Sequence, residues 1–154
     1  MDLIDLIPDL DEVATAEKVK KFFDKDLERL LRLADKQRSF FRSVNMDGMP
    51  KAPSPGNGQE NMVVKYVSSE SAKAKSILED VNIALNHCSN TYQLILYYRY
   101  IKGLADWQVA QKVQYSNTRY HQLKIAACIE FAERLHVQSN QLDLRVVKNC
   151  NDYE

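Results

Sequence analysis

Four polar residues recur at helical spacing in the C-terminal part of the chain, and their side chains are of the types that read DNA bases. They are Asn117, Thr118, His121 and Gln122. Asn and Gln can each form two hydrogen bonds with adenine, Thr presents a methyl group to thymine, and His can approach the acceptors of guanine. The sequence therefore predicts a helix face that contacts base edges. The alternative is that this face is the ordinary solvated side of a core helix.

Residues around this face have the chemistry for contacts with the DNA backbone. We predict five phosphate contacts, namely Lys102, Lys112, Ser116, Arg119 and Lys124. The whole chain has a formal net charge of zero, but residues 91–125 contain five Lys and Arg residues and one acid, Asp106. Phosphate contacts supply much of the affinity of DNA-binding proteins, whereas base contacts select the sequence. The modest local excess predicts that a monomer binds weakly and needs a second copy or another protein.

The segment that holds these residues, VAQKVQYSNTRYHQLK at positions 109–124, has the pattern of a helix-turn-helix. Ala110 is the small residue required where two such helices cross, and Val109 and Val113 face the shared core. Tyr115 is predicted to plug the turn. Gln114 stands where glycine is common, so we expect a positive φ and some strain there.

Local signals set the limits of the two helices. The first is expected over about residues 106–113, with Asp106 serving the first turn because Ala105 has no capping oxygen. The second is expected over about residues 117–136 behind Ser116 as its N-cap. Its buried face is predicted to comprise Tyr120, Leu123, Ala127 and Phe131.

Helical periodicity also dominates the first part of the chain, which favours an all-α fold. A long N-terminal helix is expected over about residues 14–41, because its apolar residues recur at helical spacing. They are Phe23, Leu27, Leu30, Leu31 and Ala34. Residues 45–62 concentrate proline and glycine, which predicts a linker. The apolar stripe has two candidate partners, a second copy of the same helix or the C-terminal unit.

Two more helices are predicted between the linker and the helix-turn-helix. One begins behind Ser68 or Ser69, and the next begins at Asn90 with Gln93 as its capping partner and ends at Gly103. The predicted organisation is an N-terminal helical segment, a Pro/Gly linker, a four-helix DNA-binding domain and a tail, at residues 1–44, 45–62, 63–137 and 138–154.

Several classes of function are not expected from this sequence. The three cysteines are widely spaced, which favours reduced thiols, and no histidine forms a ligand pair at metal spacing with them. No phosphate-binding glycine loop or nucleophile with a base is present, so neither an enzyme nor a cofactor is predicted. No apolar run is long enough for a membrane helix, and the acidic N-terminus lacks a basic signal-peptide start, so a cytoplasmic protein without membrane contact is expected.

The motifs resemble the ArpU family of phage late transcriptional regulators. The resemblance lies in YSNTRYHQLKIAACIEFAERL, in the preceding LILYYRYIKGLADWQVAQKVQ and in the linker MDGMPKAPSPGNGQEN. It implies a C-terminal domain similar to region 4 of sigma factors and an activator of late phage genes. The sigma-like recognition face falls on Asn117, Thr118, His121 and Gln122, with Arg119 beside the backbone. Sigma factors commonly have charged residues at several of these positions, whereas those of the recognition face here are neutral.

These patterns lead to three hypotheses. The first is a regulator that binds double-stranded DNA at a late promoter and contacts host RNA polymerase, or forms a homodimer, through its N-terminal helix. The second is a DNA-packaging adaptor like a small terminase subunit. The third is a protein-interaction module whose partner surface is the tyrosine-rich helix over residues 92–100.

Overall fold

The computed structural model describes residues 7–41 and 69–148, and these residues are mostly helical. The helices are α1 (Glu12–Lys21), α2 (Leu27–Leu33), α3 (Ser69–His87), α4 (Asn90–Leu96), α5 (Asp106–Val113) and α6 (Asn117–Gln138). Two π-helical segments, Phe22–Asp26 and Tyr97–Ile101, continue α1 into α2 and extend α4. No strand forms within these two described ranges, as the all-α prediction requires. The predicted linker, residues 45–62, lies outside them.

The N-terminal helix ends earlier than predicted, at Leu33 instead of near residue 41. Asp35 takes a positive φ of 54°. Its N–H donates to the carbonyl oxygen of Arg32 at 3.2 Å, and the N–H of Lys36 donates to that of Leu31 at 2.8 Å. This is the hydrogen-bond pattern of a Schellman motif, which closes a helix through its own backbone. Only a short 3-10 turn, Arg38–Phe40, follows.

The apolar stripe of the N-terminal helix is buried within the chain. Phe23, Leu27 and Ala34 are at most 1% exposed and belong to one core cluster with residues of α3 and α6. Helix α1 contacts α6, and α2 contacts α3. The structure therefore shows this stripe packed on the C-terminal helices, which are one of its two candidate partners.

The two π-helical segments meet in the middle of the molecule. The ring of Phe23 stacks on that of Tyr100 with centroids 4.8 Å apart and planes 10° apart. Arg38 Nη1 donates to the carbonyl oxygens of Tyr100 and Ile101, at 2.7 and 3.2 Å. The last carbonyl oxygens of a helix lack backbone donors, and a guanidinium supplies them. Its positive charge also interacts favourably with the negative end of the helix dipole. The N-terminal segment thus supports the helix that precedes the α5–α6 unit.

The predicted capping pair of α4 is wrong. The N-cap is Ser89, and Asn90 is the first helical residue. The Gln93 side chain is buried between helices and donates to the carbonyl oxygen of Leu85 at 2.9 Å. An amide in the core must find a hydrogen-bond partner, and here the end of α3 supplies one. The predicted end of the helix is confirmed, since Gly103 has a φ of +74°.

The described part of the tail returns to the start of α1. The N–H of Asp11 donates to the carbonyl oxygen of Val146 at 2.8 Å, and the N–H of Lys148 donates to that of Asp9 at 2.9 Å. Leu144 is buried in the main core cluster. Within the described ranges, every helix is too short or too polar to cross a membrane.

Candidate nucleic-acid interface

Helices α5 and α6 are joined by a three-residue turn that their own backbone closes. The N–H of Tyr115 donates to the carbonyl oxygen of Ala110 at 3.1 Å, and the N–H of Gln114 donates to that of Gln111 at 3.2 Å. Gln114 has a φ of 63°, which confirms the predicted positive value. Ser116 Oγ accepts from the N–H of Arg119 at 3.3 Å and caps α6 as predicted. The cap bond uses the hydroxyl oxygen as acceptor and leaves its hydrogen for another partner.

The two helices share a small core with α4. It comprises Ile95, Val109, Ala110, Tyr120 and Leu123. The predicted buried positions of both helices are confirmed, with Val109 and Tyr120 fully buried. The prediction that Tyr115 plugs the turn is wrong, because its side chain is 42% exposed. Val113 packs against this core, and the backbone bonds close the turn without the tyrosine ring.

The polar face of α6 lies on the solvent side of the same helix. The four predicted base-reading residues, Asn117, Thr118, His121 and Gln122, are all exposed. Arg119 Nη1 donates to Gln122 Oε1 at 3.2 Å, which leaves the NH₂ group of Gln122 for another acceptor. The structure thus brings a predicted phosphate contact and a predicted base contact together at the beginning of α6.

Asp106 forms a network that sequence reasoning missed. Its Oδ1 accepts from the Tyr120 hydroxyl at 2.9 Å, from Arg99 Nε at 3.1 Å and from Lys124 Nζ at 3.1 Å. The carboxylate therefore joins the start of α5 to α6 and to the π-helical end of α4. A signal was available, since Tyr120 and Lys124 share one helix face and Asp106 is the one acid among residues 91–125.

The surroundings of Asp106 favour its charged form. Burial by itself would raise the pKa, but the hydrogen bonds from Tyr120 and Lys124 and the charges of Lys124 and Arg99 outweigh it, so the pKa lies below its ordinary 3.8. Burial and the neighbouring carboxylate raise the pKa of the Tyr120 phenol. Tyr120 therefore keeps its proton and acts as the donor in this pair.

A relative in Enterococcus hirae matches most of the chain. The two sequences are 32% identical over 111 residues, which cover 71% of this chain and 77% of the relative, and the relative is named "Putative autolysin regulatory protein ArpU". The chain belongs to the ArpU family. No protein-family model matches the chain, and no solved structure matches it.

The cations of this ArpU-family chain fall into two groups around the α5–α6 unit. Arg99 and Lys124 are paired with Asp106, and the Lys124 side chain is only 19% exposed. Lys102, Lys112 and Arg119 are exposed. Within the described ranges, no carboxylate lies within ion-pair distance of any of these three side chains. The available positive charge is thus smaller than the local sequence count indicates.

The cysteines behave as small core residues. Cys88 and Cys128 are free and buried. Burial, together with the charge of Glu130, raises the pKa of Cys88 to about 12, and burial raises that of Cys128 to about 11. Both therefore stay protonated near neutral pH, while Cys150 lies outside the described residues. In the part of the chain that the structure describes, no cluster of His, Cys, Asp and Glu could hold a metal ion.

Replacing Gln114 by Gly is expected to raise the free energy of unfolding by about 0.5–1 kcal/mol, because glycine adopts the left-handed region without a Cβ penalty. Thermal or urea unfolding of the full chain measures the change. Gln111→Gly, in the interior of α5, is the matched control and should lower stability by about 1 kcal/mol. A loss of stability in Gln114→Gly would show that the Gln114 side chain stabilises the fold by more than the strain of the positive φ destabilises it.

Proposed function

We propose that this ArpU-family protein is a transcriptional regulator that binds double-stranded DNA with α6 as its recognition helix. One observation carries the proposal. The buried and polar faces of α6 separate cleanly, with Tyr120 and Leu123 packed on α5 and the base-reading residues exposed together on the solvent side. A short helix, a tight turn and a longer helix with polar residues at its beginning are the parts of a helix-turn-helix reader.

The family relationship gives this proposal its biological setting. The Enterococcus hirae relative carries a name that describes a regulator of autolysin. The motifs also resemble those of phage late regulators with a sigma-like C-terminal domain. We therefore propose a late promoter as the target, host RNA polymerase as the partner and activation as the direction of control.

The charges of the unit support weak binding by one copy. Each phosphate neutralised contributes about −0.9 to the slope of the logarithm of the binding constant against the logarithm of salt concentration. Three exposed cations, Lys102, Lys112 and Arg119, give an expected slope of about −3. Such a shallow slope implies that a second contact is needed at a promoter. A second copy of the chain or host RNA polymerase would supply it.

Substitution of Gln122 tests base reading directly. We expect Gln122→Ala to weaken specific binding by about 1–3 kcal/mol and to leave nonspecific binding unchanged, because the side chain is exposed and its amide can pair with adenine. The measurement is selection of bound sequences from a random duplex pool, followed by affinity measurements on the selected site. Asn140→Ala, another exposed amide on the solvent side of the tail, is the matched control.

Arg119→Ala is expected to act differently, since the loss of a phosphate contact lowers the affinity for every sequence and makes the salt slope shallower by about one unit. Because Arg119 also bonds to Gln122, Arg119→Ala should in addition cause a smaller loss of sequence preference.

An unchanged pool of selected sequences in Gln122→Ala would remove Gln122 from base reading. Absence of any salt-dependent binding by the wild-type chain would contradict the proposed function itself.

A further inference from the structure

Two lysines flank a pair of tyrosine rings beside the α5–α6 unit. The rings of Tyr97 and Tyr98 are in edge contact, with centroids 5.6 Å apart. Lys102 Nζ lies 5.8 Å from the centroid of Tyr97, and Lys112 Nζ lies 5.1 Å from that of Tyr98. We call these four residues the basic–aromatic ridge. Both lysines are exposed and both tyrosines are half-buried.

The ridge has polar groups for which the described part of the chain supplies no ion-pair or hydrogen-bond partner. Its lysines form no ion pair with any described carboxylate, whereas Arg99, next to Tyr98 in the chain, is paired with Asp106. No described protein group forms a hydrogen bond with the phenol oxygen of Tyr97 or Tyr98. Cation–π contact with the rings restricts the lysine side chains, so less conformational entropy is lost when they bind an anion.

The ridge is continuous with the proposed DNA-binding unit. Tyr98 packs against the small core that Val109, Ala110 and Tyr120 form between α5 and α6. Lys112 belongs to α5, which contacts both α4 and α6. The ridge therefore extends the proposed DNA-binding surface from α5 and α6 to the π-helical segment that follows α4.

We propose that the basic–aromatic ridge binds the phosphodiester backbone of double-stranded DNA next to the segment that α6 reads. This inference rests on the proposed function and adds the two tyrosines to its contact surface. Ammonium groups and phenol hydroxyls are both donors to phosphate oxygens in protein–DNA contacts. The two lysines have no ion pair with a described carboxylate, and the ridge contains no acid, which favours a polyanion. The attachment to α5 favours the same duplex over an acidic protein.

Salt titrations of the full chain with a random-sequence duplex of about 30 base pairs test the ridge. Lys102→Gln and Lys112→Gln should each make the salt slope shallower by about 0.9, because each removes one phosphate contact. Tyr97→Phe and Tyr98→Phe should each lower affinity about tenfold or more without changing the slope, since each removes a hydrogen bond to a charged phosphate oxygen but no positive charge. Lys73→Gln, an exposed lysine of α3, is the matched control and should change neither quantity.

The outcomes separate this proposal from the function on which it rests. A wild-type chain that binds the duplex, together with unchanged slopes in both lysine variants, overturns the ridge alone. If Lys73→Gln makes the salt slope as shallow as the two ridge variants do, the ridge proposal is also overturned. The change in slope would then come from the net charge of the protein and not from a local phosphate contact. If the lysine variants keep their duplex affinity but lose binding to polyglutamate, the ridge belongs to an acidic protein partner. A wild-type chain that binds no duplex overturns both proposals.

Discussion

Phe23→Ala is expected to lower the free energy of unfolding by about 3–5 kcal/mol, the usual cost of removing a buried phenylalanine. The Phe23 ring stacks on Tyr100 and lies 5.1 Å from the ring of Phe131. Phe23 therefore joins the N-terminal segment to the π-helical extension of α4, which holds Tyr100, and to α6, which holds Phe131. Urea unfolding followed by circular dichroism measures the loss.

Leu33→Ala is the control for this prediction, because Leu33 belongs to the same N-terminal segment but is 40% exposed. It should cost less than about 1 kcal/mol. The loss in Phe23→Ala should not depend on protein concentration, since the contacts lie within one chain. A concentration-dependent loss would restore the hypothesis that the N-terminal stripe pairs with a second copy.

Asp106→Asn is expected to lower the free energy of unfolding by about 1.5–3 kcal/mol. The substitution removes the charged acceptor that holds Arg99, Tyr120 and Lys124, and it leaves two half-buried cations without a counter-charge. Because the pKa of Asp106 is lowered in the folded state, its stabilising contribution is present above the unfolded value of about 3.8. It is lost as the pH falls through the lower folded value. The difference between wild type and variant should therefore narrow below about pH 4.

Asp143→Asn provides the matched comparison, since Asp143 pairs with Arg145 at the surface with 49% of its side chain exposed. An exposed pair is worth about 1 kcal/mol or less. Unfolding curves of both variants at neutral pH and near pH 3 measure the contrast. Equal, small losses in the two variants would contradict the assigned role of Asp106 in joining α4, α5 and α6.

The limits of α5 and the beginning of α6 were predictable because the signals for them are local. Ser116 lies one residue before α6 and caps it, and Gln114 lies one residue after α5 and takes the positive φ that the turn pattern requires. The periodicity of apolar residues also separated the buried Tyr120 from the exposed Gln122. Each of these inferences depends on residues within about two helical turns of one another.

The sequence predictions failed where a side chain bonds to a residue that is distant in sequence, or where backbone hydrogen bonds form the structure. Tyr115 was predicted to plug the turn, but backbone bonds to Ala110 and Gln111 close it. The sequence predicts Gln93 in a helix cap, but its side chain donates to the carbonyl oxygen of Leu85 in the core. The role of Asp106 appears only when Arg99, Tyr120 and Lys124 converge on it.

The helical class of this protein and the polar face of α6 follow from local sequence, because helix caps and the 3.6-residue period act over short stretches of chain. Two features do not follow from local sequence: the N-terminal stripe packs into the same core as α6, and Lys124 belongs to an ion pair with Asp106. The reason is physical. An apolar stripe or a charge specifies the chemistry of its partner, whereas the approach of Phe23 to Tyr100 and of Asp106 to Lys124 depends on how all the helices pack together.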